Sequence, residues 1–126
     1  MKKEVDLPYA HFSLEDDLLT GVYKKTPRLT LDMAKEAVKA RLELTGSQQV
    51  LGLIYNEGVK SIDKKARDYF SSEEGTLGII AAAYIVDSPF KSAIANFFIY
   101  ASRAKIHVRV FTKKEAALKW LAQYRK

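Results

Sequence analysis

The segment from Val50 to Phe70 limits the possible folds more than any other part of the chain. It opens with an unbroken apolar run, Val50-Leu51-Gly52-Leu53-Ile54-Tyr55, and breaks at Asn56-Glu57-Gly58. Val59-Lys60-Ser61-Ile62-Asp63 then leads into a helix-patterned stretch. A short apolar run without polar alternation suits a strand covered on both faces, and helices provide that cover in parallel sheets. A second such run, Gly78 to Val86, predicts a central strand of the same kind. Two strands of this type, each followed by a helical pattern, point to an α/β sheet with right-handed parallel crossovers. At 126 residues the chain is long enough for one domain with a proper core.

The remaining elements follow from the same patterns. His11-Phe12-Ser13-Leu14 alternates, Glu15-Asp16-Asp17 supplies a polar turn, and Leu18 to Tyr23 resumes a strand pattern, so Tyr9 to Lys24 reads as an N-terminal β-hairpin. Thr30 is placed to cap a helix carrying Leu31, Ala34, Val38 and Leu42 at helical spacing, and Gly46 ends it. Ile62, Ala66, Tyr69 and Phe70 form the stripe of a second helix, with Asp63 or Ser61 as its cap. Ser88-Pro89 starts a third helix to about Arg103, because proline loses nothing at the first helical position. Ile106 to Phe111 alternates as a half-exposed strand. Thr112 and Glu115 have capping-box spacing ahead of a last helix that turns Ala117, Trp120, Leu121 and Tyr124 to the core. The expected order is a hairpin followed by βα repeats: a mixed, mostly parallel sheet with about four helices.

Composition removes several function classes. The net charge of +6 invites a nucleic-acid reading, but the cations are interleaved with acids. Lys35, Lys39 and Arg41 alternate with Asp32, Glu36 and Glu43, the pattern of a solvated helix face. No specific nucleic-acid binding is expected. The chain has no cysteine, which excludes disulfides and thiolate chemistry. Its two histidines, His11 and His107, stand alone on strand patterns without a second ligand at metal spacing. The six glycines form neither a phosphate loop nor a dinucleotide fingerprint. No catalytic residue, metal or cofactor is expected, and the chain reads as a non-enzyme. Glu4, Asp6 and Pro8 interrupt any signal-like apolar stretch, and no run reaches the ~20 residues of a membrane span, so a cytoplasmic protein is expected.

The spacing Gly58-Val59-x-x-Ile62-Asp63 resembles the switch region of STAS domains, the anti-sigma-factor-antagonist or SpoIIAA-like fold. The element order agrees over nearly the whole chain. In that family a phosphorylatable serine follows the aspartate, whereas Lys64 and Lys65 stand there in this sequence. Ser61 precedes the pair and lies on the wrong side to match. The resemblance implies a regulatory module that binds another protein, such as an anti-sigma-type regulator, or a second copy of itself, without the usual phosphoacceptor. The SpoIIAA-like group also resembles CRAL-TRIO lipid-binding domains, which implies the alternative: a carrier or sensor of a small apolar, lipid-like ligand.

Two surfaces are candidates for such roles. Ligands in open α/β sheets gather beyond the carboxyl ends of the strands, and those ends place Asn56, Glu57, Ser61, Asp63, Lys64, Lys65, Asp87 and Ser88 on one rim. Helix capping explains several of these equally well, and the two lysines read most simply as solvated. The second surface is the helix after Ser88. Phe97-Phe98-Ile99-Tyr100 covers almost the full helix circumference at 100° steps. If Phe90, Ile94, Phe97 and Ala101 face the sheet, Ala95 and Ile99 point outward beside Phe98 and Tyr100, an apolar patch suited to a subunit or a ligand.

Overall fold

A computed structural model of the chain describes residues 2–88, 91 and 106–125. These residues build a six-stranded sheet in simple sequential order: β1 (Lys2–Leu7), β2 (Ala10–Glu15), β3 (Leu18–Tyr23), β4 (Val50–Asn56), β5 (Ile79–Ile85) and β6 (His107–Phe111). β1, β2 and β3 run antiparallel, whereas β3 to β6 are parallel. Three helices are described: α1 (Leu31–Thr45), α2 (Lys64–Phe70) and α3 (Lys114–Ala122). The helix expected after Ser88 lies outside the described residues, and with it Ala95, Phe98, Ile99 and Tyr100.

The sheet has two differently covered faces because side chains alternate along each strand. Past an irregularity between Val50 and Leu51, the register pairs Leu51 with Ala81 and Leu53 with Ala83. These four pack with Ala117 and Leu121 of α3. Gly52, Ile54, Ala82 and Tyr84 occupy the alternate positions of the same strands. On the side of α1 and α2, the core gathers Phe12, Leu14, Leu19, Leu29, Ala37 and Val50. Phe12, Tyr23 and Phe70 form an edge-to-face chain there, with ring centroids 5.9 Å apart at each step.

Local signals fix the ends of α1 as expected. The Thr30 hydroxyl accepts from the Met33 amide at 3.3 Å. Gly46 closes the helix at a positive φ of 60°, its N–H donating to the Leu42 carbonyl at 2.8 Å. Ala34 and Val38 are buried as the spacing predicts, while Leu31 and Leu42 are half-buried. In α3, Ala117 and Leu121 are buried, and Trp120 and Tyr124 pack against the same core.

Several expectations need correction. The hairpin is the inner part of a three-stranded meander, because Lys2–Leu7 pairs with β2 along its whole length. Arg41 does not lie on a solvated face; it is only 4 % exposed. The capping box at Thr112 does not form: α3 starts one residue later, with Lys113 extended at its N-cap and no side-chain cap bond. Ile62 belongs to the loop before α2 and is 37 % exposed, so Ala66 is the deeply buried member of the α2 stripe. The lone-histidine reading holds along the chain but not in space, since cross-strand pairing sets His11 against Asp6 at 2.9 Å and Glu4 at 3.2 Å.

Candidate functional site

The connections leaving β3 and β4 run side by side. Thr26 pairs with Val59 and Leu29 with Ile62 in parallel bridges. The Thr26 amide donates to the Gly58 carbonyl at 3.1 Å, and the Leu29 amide to the Ser61 carbonyl at 2.9 Å. The Asn56 side-chain oxygen accepts from the Gly58 and Val59 amides at 3.0 and 2.8 Å, which sets the turn that starts this ladder. A two-pronged ion pair joins Arg28 to Asp63 at 2.7 and 2.9 Å and closes its far end. Arg28 therefore holds the Asp63 carboxyl below the usual carboxylate range.

Beneath this ladder, a cavity of about 790 Å³ lies on the face of the sheet that carries α1 and α2. Ile54, Ala82, Tyr84, Val108 and Val110 form its floor, all from the alternate positions of β4, β5 and β6. Phe12, Tyr23 and Phe70 close one side, and Val59, Ser61 and Ile62 of the ladder lie at its edge. Its size falls within the ~300–1,000 Å³ common for small-molecule pockets.

Arg41 enters this site from α1. Its guanidinium donates to the Leu77 carbonyl at 2.9 Å and the Gly75 carbonyl at 3.2 Å. Gly75 itself lies tight against the end of α2, where a Cβ would stand 2.0 Å from the Tyr69 carbonyl oxygen. No carboxylate pairs with Arg41 among the described residues. Burial lowers the pKa of Arg41, the direction expected when a cation leaves water. Burial likewise raises the phenols of Tyr23 and Tyr84, which keeps both hydroxyls protonated near neutrality.

The rim expected from sequence is divided by the structure. Asn56 and Ser61 line the cavity; Glu57, Asp63, Lys64, Lys65, Asp87 and Ser88 do not. Ser61 donates to the Pro27 carbonyl at 3.1 Å. Lys64 pairs with Asp68 at 2.9 Å along α2, and Lys65 is exposed. Ser88 caps as expected, accepting from the Lys91 amide at 3.2 Å, while Asp87 pairs with the Lys91 ammonium at 3.1 Å. Arg41, Tyr23, Tyr84 and the apolar floor are the residues sequence reasoning missed as a site. The one available signal was an arginine at position 41, one residue before Leu42 of the apolar stripe.

Among the described residues no group of three or more His, Asp or Glu side chains is arranged to hold a metal ion. No helix among them is long and apolar enough to cross a membrane.

Strand order, parallel register and helix placement give the chain an α/β fold of the SpoIIAA-like kind. The fold matches that of an uncharacterized protein from the DUF3478 family with a SpoIIAA-like fold from Shewanella loihica PV-4. The TM-score is 0.55 at 13% sequence identity, over 96% of this chain and 92% of that one. The chain itself belongs to the DUF7793 family, described as a domain of unknown function, whose profile matches residues 12–125. No curated protein matches the sequence.

Proposed function

We propose that this domain is a non-enzymatic binding module that takes a small, largely apolar ligand on the α1/α2 face of its sheet. The observation that carries this reading is the cavity over Ile54, Ala82, Tyr84, Val108 and Val110. Its apolar floor supplies the favourable transfer of a hydrocarbon from water, about 25 cal/mol per Å² of surface removed. The polar groups near it suit orientation better than reaction. An arginine stays protonated, and phenols raised by burial release no proton near neutrality.

A regulatory role through a protein partner is compatible with this reading, since filling the cavity beneath the 59–62 ladder changes what that ladder packs on. The rim alone supports it less, because Asp63, Lys64, Asp87 and Ser88 are engaged in internal bonds.

The test uses N-phenyl-1-naphthylamine, an uncharged dye that brightens in apolar surroundings. Saturable binding near one dye per chain is expected, and Ala82→Leu, which extends a side chain from the floor, should abolish it while leaving the circular dichroism unchanged. Failure of the dye to saturate, or identical binding by the folded Ala82→Leu variant, would contradict the cavity as the site.

A further inference from the structure

We infer that the ligand is an amphipathic monoanion, an apolar chain ending in a carboxylate, whose head meets Arg41. This rests on the cavity reading above and specifies the class of molecule that the cavity takes. The residues lining the cavity include four basic side chains, Arg41, Lys60, Arg67 and Lys91, and no acidic one among those described. In a chain with 15 acidic residues, that one-sided lining sets this surface apart from the interleaved charges elsewhere.

Arg41 narrows the class further. It is 96 % removed from solvent by its 4 % exposure, yet its described partners are two neutral carbonyls. A buried charge without a counter-charge is costly, and structures keep such groups paired. A guanidinium has five N–H donors in a planar fork. Two of them are used on Leu77 and Gly75, leaving three for a further acceptor. Tyr23 and Tyr84 line the same cavity, and among the described residues neither phenol has a hydrogen-bond partner. One buried positive charge with neutral donors beside it matches one negative charge, and a carboxylate fits the fork with two parallel bonds. A dianionic phosphate would bring a second charge, whereas Arg41 is the one fully buried cation among the described lining residues, Arg67 being half-buried. Lys60 and Lys91 are exposed and stand in water.

Dodecanoate, dodecanol and dodecylammonium, each competed against N-phenyl-1-naphthylamine at neutral pH, separate the head from the tail. Dodecanoate should bind at least about tenfold more tightly than dodecanol, the smallest effect expected of a charge-assisted hydrogen bond in a buried site. Dodecylammonium should bind more weakly than either. In Arg41→Met the preference for the acid should vanish while the alcohol still displaces the dye, and Arg41→Lys should retain part of it. Should Arg41→Met fail to fold, the comparison within the unmodified protein still decides. Equal affinity for acid and alcohol, or tighter binding of the amine, overturns the anionic class but leaves the cavity reading intact. Failure of all three to displace a dye that binds overturns the anionic class; failure of the dye itself overturns both.

Discussion

Gly75 and Arg41 depend on each other. The Gly75 carbonyl accepts from the Arg41 guanidinium, and the backbone approaches closely enough that only a missing side chain fits. Gly75→Ala should therefore cost about 1–3 kcal/mol in chemical denaturation, typical of forcing atoms into a filled site, and should also weaken any preference for anionic ligands. Gly52→Ala is the control: its added methyl would sit 3.6 Å from the Ala82 Cβ, an ordinary contact. It should be neutral or stabilising by up to about 1 kcal/mol, since alanine loses less backbone entropy than glycine. Equal effects of the two substitutions would contradict the packing described for Gly75. Beyond the place of Arg41 beside Leu42 of the apolar stripe, none of this was legible from position 41. Charged residues on an amphipathic helix are read as outward, and the carbonyls that receive Arg41 lie 34 and 36 positions away in the chain. Thr30 and Gly46 were legible because a helix cap is decided by residues within one turn.

Among the described elements, β1 has an attachment tied to pH through a histidine. Only Val5 and Leu7 of its six residues are even half-buried, so its pattern in the sequence is too faint to mark a strand. It is held by its ladder to β2 and by a cross-strand charge cluster. His11 contacts Asp6 and Glu4, Lys24 contacts Asp6 at 2.6 Å, and Lys2 lies 3.8 Å from Glu4. The Asp6 bond first, then Glu4, raises the His11 pKa above its ordinary 6.5. Lys24 first, then His11, lowers the Asp6 pKa below 3.8. A raised histidine stabilises fully below pH 6.5 and loses that contribution as pH climbs through its folded value. A lowered aspartate stabilises fully above pH 3.8 and loses that contribution as pH falls through its folded value. The strand should thus be most firmly held between those two limits. Amide exchange of β1, corrected for intrinsic rates, should show protection declining above pH 6.5, and His11→Gln should flatten that decline. Because the cluster is exposed the change should be small, and a pH-independent β1 in the unmodified protein would contradict the cluster's role. The buried strands β4 and β5 were legible for the opposite reason, as continuous apolar runs leave little choice but a covered parallel strand. The failed capping box at Thr112 shows the limit of spacing alone, because Lys113 rather than Thr112 takes the N-cap position.

For the whole molecule, alternation of strands and helices carried most of the architecture. The parallel pairing of β3 to β6 is what strands separated by helices lead one to expect. The switch-like spacing Gly58-Val59-x-x-Ile62-Asp63 did mark a special place, though with a different content: it forms the ladder against residues 26–29 that edges the cavity. The cavity itself was not legible, because its floor collects every second residue of three strands, and an alternating strand pattern reads the same over a filled core and an open one. What decides the role of this cavity is whether hydrocarbon enters that face of the sheet. Methyl-resolved NMR during titration with dodecanol tests it most directly. The prediction is saturable shifts in the methyl groups of Ile54, Ala82, Val108 and Val110, with Leu51, Leu53, Ala81 and Ala83 on the α3 face unmoved. Shifts confined to the α3 face, or none at saturating dodecanol, would contradict it.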